Sequence, residues 1–129
     1  MKIIEGLVNG PFKSEDAFKA AVLKVWRKTM PQATFFEIEN EEKEPGMPDV
    51  LKMSRSSPAV FIEFKIADYS GHVMFQKTQP LFYKLHRDLW IHILVWDPNM
   101  NRVVSMDPYE IIEAKKLRVK IDNIDVSIG

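Results

Sequence analysis

Val60-Phe61-Ile62-Glu63-Phe64-Lys65-Ile66 is the segment that most restricts how this chain folds. It is rich in β-branched and aromatic residues, which suit a pleated and buried strand. Side chains alternate along a strand, so Val60, Ile62, Phe64 and Ile66 point one way while Phe61, Glu63 and Lys65 point the other. A second run, Trp90 to Trp96, is apolar throughout except His92. Between the two a helix is predicted over about Thr78 to Asp88, with Pro80 compatible because it lies in the first turn. Neither run is long enough to cross a membrane.

The flanking sequence extends this pattern. Ser14 is a good N-cap, Glu15 and Asp16 suit the positive end of a helix dipole, and Phe18, Ala21, Val22, Val25 and Trp26 follow helical spacing to about Thr29, ahead of Pro31. Ala33 to Ile38 reads as a strand, Asn40 to Met47 as a polar loop, and Val50 to Met53 as a short extended segment. Arg55-Ser56-Ser57-Pro58 is a turn and Ala67 to His72 a loop containing Gly71. Asp97-Pro98-Asn99 turns the chain into a strand from Arg102 to Met106, Asp107 caps a helix from Pro108 to Ala114, and Leu117 to Ile128 is weakly strand-like. The expected fold is α/β, a central mixed sheet of about four to five strands flanked by helices, in a single domain spanning residues 1–129.

Composition narrows the function. The chain has no cysteine, which excludes disulfides and thiolate zinc sites. Its start, Met1-Lys2-Ile3-Ile4-Glu5-Gly6, lacks the pattern of a signal peptide, and a cytoplasmic location is expected. The formal net charge is zero, so the whole molecule does not advertise a polyanion partner. Charge is nonetheless uneven. Glu37, Glu39, Glu41, Glu42 and Glu44 form an acidic block, while basic residues gather at Lys13, Lys19, Lys24, Arg27 and Lys28 and again at Lys77, Lys84 and Arg87. A basic surface beside an acidic pocket and a pair of solvated helix faces are both consistent with that distribution.

The chemistry concentrates at Gly46-Met47-Pro48-Asp49 and at Glu63-Phe64-Lys65, fourteen residues further on. Glu63 and Lys65 share a strand face at a separation of roughly 7 Å. If the segment from Val50 pairs antiparallel with the next strand, Asp49 lies near Glu63. Hard carboxylate oxygens suit Mg²⁺ or Mn²⁺, and such an ion polarises a phosphoryl oxygen and acidifies a bound water. Lys65 supplies a point charge to orient that water or to offset charge developing on phosphate. An exposed Glu–Lys pair on an amphipathic strand is the plainer alternative. His72, His86 and His92 lack close metal-ligand spacing, and the chain has neither a Gly-x-Ser-x-Gly turn nor a phosphate-cradling glycine loop. Met47, Met53, Met74, Met100 and Met106 suit packing rather than ligation.

Pro48-Asp49 and Glu63-Phe64-Lys65 resemble the name-giving motif of the PD-(D/E)XK nuclease superfamily, whose fold is restriction-endonuclease-like. With Gly46 ahead of them and Gln79-Pro80-Leu81-Phe82-Tyr83-Lys84-Leu85 behind, the pattern is similar to the Holliday-junction-resolvase-like and VRR-NUC branch. The resemblance covers about Ser14 to Trp96. It implies a metal-dependent endonuclease acting on DNA, including branched or junction DNA, with Mg²⁺ (or Mn²⁺) as cofactor, 5′-phosphate products and a symmetric homodimer. It further implies an acid on the first helix completing the metal site. Helical phase favours Glu15, beside Phe18, Val22 and Trp26, over Asp16, with Glu37 as the alternate ligand. By the same resemblance the Phe64 carbonyl is a further metal ligand. Gln79, preferred to Gln76, contacts a phosphate, the metal-bound water or a neighbouring catalytic side chain. The expected catalytic set is therefore Asp49, Glu63, Lys65, Gln79 and Glu15. The competing expectation is a non-catalytic nucleic-acid-binding or assembly domain on the same fold, or a nuclease that needs a larger partner.

Overall fold

The computed structural model describes residues 1–39, 41, 43–114 and 117–121. Among the acidic residues noted above, Glu42 lies outside them, as do Asn40 and the 122–128 part of the weakly strand-like segment. In chain order the elements are β1 (Lys2–Ile4), α1 (Glu15–Thr29), β2 (Thr34–Glu37), β3 (Val50–Met53), β4 (Val60–Ile66), β5 (His72–Met74), α2 (Thr78–Leu85), β6 (Trp90–Asp97), β7 (Arg102–Met106), α3 (Pro108–Ala114) and β8 (Arg118–Lys120).

The fold is mixed α/β, and its main sheet has six strands in the order β1-β7-β6-β4-β3-β2. This is larger than the expected four to five strands, because Lys2–Ile4 adds an edge strand antiparallel to β7. A second, two-stranded sheet pairs β5 with β8. Each of β1, β5 and β8 has three residues. That is too few for alternation to emerge from sequence, and tertiary pairing decides their state.

β4 is central. It runs antiparallel to β3 and parallel to β6, with Glu63 level with Ile93 and Lys65 with Val95. The parallel pairing requires a crossover, which β5 and α2 supply. The crossover also explains why α2 ends at Leu85 rather than near Asp88. The chain must return to the Val60 end of β4 to start β6 at Trp90, and a tight turn, with Leu89 N–H bonded to the His86 carbonyl at 3.1 Å, does this.

Each face of the sheet carries a core. On one side, α1 is capped by Ser14, whose Oγ accepts the Ala17 N–H at 3.1 Å, and it drives Phe18, Val22 and Leu23 into the sheet. Phe18 meets Phe64 edge-on at 5.6 Å, and Trp26 stacks on Phe35 at 5.7 Å. On the other side, Phe82 and Tyr83 of α2 and Ile111 of α3 pack against Ile91, Ile93 and Val95 of β6. Glu63 and Lys65 emerge on this second side, with only 5% and 7% of their surfaces exposed. Among the described residues, no helix is long and apolar enough to cross a membrane.

Candidate metal and phosphate site

The site forms where β4 outruns its neighbour. β3 begins at Val50, opposite Ile62, so β4 from Glu63 onward has no strand on that side. Asp49 takes over there, with its backbone N–H and its side chain. Asp49 N–H bonds to the Ile62 carbonyl at 3.1 Å, and Asp49 Oδ2 accepts the Phe64 N–H at 3.2 Å. A strand residue turns its N–H and C=O toward the same edge, so the Phe64 carbonyl is directed to this side as well.

The turn before Asp49 is tightly determined. Met47 N–H bonds to the Glu44 carbonyl at 3.0 Å, and Gly46 has φ +85°, a left-handed conformation that favours glycine. A Cβ at Gly46 would overlap the Thr78 carbonyl at the start of α2. The glycine therefore lets the loop sit directly on the helix that carries Gln79, and both walls of the site are assembled at that contact.

Glu15, Lys43, Asp49, Glu63, Lys65 and Gln79 line one largely polar cavity of about 370 Å³. Burial, followed by the Asp49 charge, pushes the Glu63 carboxyl up to about 9. Lys65 Nζ donates to Gln79 Oε1 at 2.9 Å and lies 5.2 Å from the centre of the Phe75 ring. The same Gln79 oxygen accepts the Gln76 N–H at 2.9 Å. Of the three expected contacts for Gln79, the structure shows the one to a neighbouring side chain. Gln76 lines the cavity too, but its bond to Gln79 is made through its backbone.

Glu15 stands at the rim, exposed as a residue, with its carboxyl turned toward the cavity. Partial burial raises its pKa, opposed by the Lys65 charge and a backbone hydrogen bond with Ile66. Asp16 is 93% exposed and pairs with Lys19. Glu37 pairs with Lys19 and Arg27, each at 3.6 Å, and does not line the cavity. The helical phase that separates Glu15 from Asp16 thus matches the observed geometry.

Two participants escape the sequence reading. Lys43 Nζ donates to Asp49 Oδ1 at 2.5 Å. Its one sequence signal is that it is the basic residue inside a run of glutamates. Tyr83 lies one helical turn after Gln79, and its hydroxyl is buried with no hydrogen-bond partner among the described residues. Burial, then the charges of Glu63 and Asp49, raise its pKa, so it stays a neutral phenol. The spacing from Gln79 to Tyr83 was its only signal.

Among the described residues, no group of three or more histidine, aspartate or glutamate side chains is arranged so as to hold an ion. The donor chemistry still fits a hard divalent cation. Two carboxyls are close enough to raise the pKa of one, a carbonyl edge lies beside them, and the cavity has room for the waters that Mg²⁺ retains. Compared with known protein families, curated proteins and solved structures, the chain matches none.

Proposed function

We propose that the chain is a metal-dependent deoxyribonuclease of the PD-(D/E)XK kind, restriction-endonuclease-like in fold and similar to the Holliday-junction-resolvase-like and VRR-NUC branch. The observation that carries this reading is the convergence of Asp49, Glu63 and Lys65 in one polar cavity, with the Glu63 carboxyl pushed up to about 9. Two carboxyls so placed repel when both are ionised, and a divalent cation between them removes that penalty.

Asp49, Glu63 and the Phe64 carbonyl would hold Mg²⁺ or Mn²⁺, with Glu15 completing the set. Such an ion supplies a Lewis acid for the phosphoryl oxygen and a lowered pKa for the attacking water. The chain's own residues do the positioning. Lys65, buried and fixed by Gln79 and the Phe75 ring, presents an ammonium of defined direction to the scissile phosphate or to the water. Gln79 is a positioning residue acting through Lys65. The hydrolysis would leave a 5′-phosphate, and a symmetric dimer would present two such sites to two strands.

One observation favours a second reading. The Lys43–Asp49 ion pair already gives the carboxylate a cation, as expected of a non-catalytic nucleic-acid-binding or assembly domain that retains the fold. The discriminating experiment incubates the protein with linear, nicked, flapped and four-way DNA in Mg²⁺, Mn²⁺ or EDTA. Cutting that needs metal and is lost in Asp49→Ala and Lys65→Ala supports the nuclease. Tight, metal-independent binding without cutting supports the second reading.

A further inference from the structure

We propose that Lys43 is an exchangeable counter-ion of the site, neutralising Asp49 while no divalent cation is bound and leaving Asp49 when one binds. The proposal rests on the metal reading above and assigns a residue that neither the motif nor the resemblance includes.

The geometry of Asp49 carries it. Its Oδ2 accepts the Phe64 N–H at 3.2 Å and its Oδ1 accepts from Lys43 Nζ at 2.5 Å, so both oxygens are engaged and the ammonium already occupies one of them. An ammonium and a divalent ion on one oxygen repel strongly in a partly desolvated cavity, so entry of the second requires departure of the first. Lys43 is built to leave. It stands in the loop rather than on the sheet, its side chain is 18% exposed, and its flexible four-carbon stem can swing the charge aside without moving the backbone. Lys65 is the contrast. It lies on the central strand, is 7% exposed, and is clamped by Gln79 and Phe75.

Two consequences follow. A monovalent ion brings no more charge than the ammonium already present, so the exchange selects for divalent cations. The displaced ammonium also remains at the cavity wall, where an incoming phosphodiester anion can meet it.

Two measurements test the exchange. The first uses the unaltered protein, with lysine acylation rates read by mass spectrometry with and without saturating Mn²⁺. Lys43 should label several-fold faster with Mn²⁺ while Lys65 stays protected. An unchanged or slower rate at Lys43 overturns the proposal. The second follows free Mn²⁺ by electron paramagnetic resonance during titration of folded wild type, Lys43→Gln, Lys43→Arg and Asp49→Ala. Removing the competitor should tighten binding by about tenfold in Lys43→Gln, with Lys43→Arg staying near wild type. Equal or weaker binding in Lys43→Gln, with binding still lost in Asp49→Ala, overturns the role of Lys43 and leaves the metal site standing. Wild-type binding that Asp49→Ala does not change removes the metal reading and this proposal together.

Discussion

Burying a carboxyl in the middle strand of a sheet is costly, and Glu63 meets that cost by keeping its proton. Its pKa in the folded chain, about 9, stands above the ordinary 4.5. The folded state therefore holds a proton that the unfolded state has released between those values. The resulting stabilisation is fully present below about pH 4.5 and is lost as pH rises through about 9. In EDTA, the metal-free protein should lose stability steadily from pH 5 to pH 9, and Glu63→Gln, which cannot ionise, should flatten that slope. Thermal melts across the range check this, and parallel curves for the two proteins would contradict it. Lys65 depends on a neighbour in the same way. In Gln79→Ala the ammonium loses its acceptor and the Gln76 N–H loses its partner. The expected cost is about 1–3 kcal/mol of stability. Cleavage should slow through kcat with KM for DNA little changed. A loss confined to KM would place Gln79 on the substrate instead.

At the scale of elements, two contacts build the site, and they differ in how openly the sequence announces them. The strand Val60–Ile66 and the pairing that sets Asp49 beside Glu63 follow from alternation and antiparallel register, and both were legible. The docking of the Gly46 turn onto the first residues of α2 was not, because it depends on a crossover that brings Thr78 back over the sheet. Gly46→Ala meets both a positive φ and the Thr78 carbonyl, so it should destabilise the fold by about 2 kcal/mol or more. Because the same contact aligns Asp49 with Gln79, it should also slow cleavage beyond what the fraction unfolded explains. Chemical denaturation alongside single-turnover kinetics separates the two effects. Lys43 is hidden from the sequence for a related reason. A loop lysine among glutamates reads as solvated charge until the turn folds it onto Asp49.

At the scale of the whole molecule, long periodic segments set the layers and short ones set the edges. α1, β3, β4, β7 and α3 lie where spacing and capping predict them, while the three-residue strands β1, β5 and β8 exist only through their partners. The charge clusters resolve only in three dimensions. Lys19 and Arg27 are drawn to Glu37, and Arg27 also donates to the Phe35 carbonyl on the edge strand β2 at 3.3 Å. The first basic cluster is thus partly neutralised. Under the proposed function, Asp49 and Glu63 recruit a divalent cation to cut DNA. The most direct test is the single-turnover cleavage rate of end-labelled branched DNA in saturating Mg²⁺, for wild type beside Asp49→Ala. Cleavage by the wild type that EDTA abolishes, and a fall of about 100-fold or more in the variant, are predicted. Equal rates in the two proteins, or cutting that persists in EDTA, would contradict the proposed function.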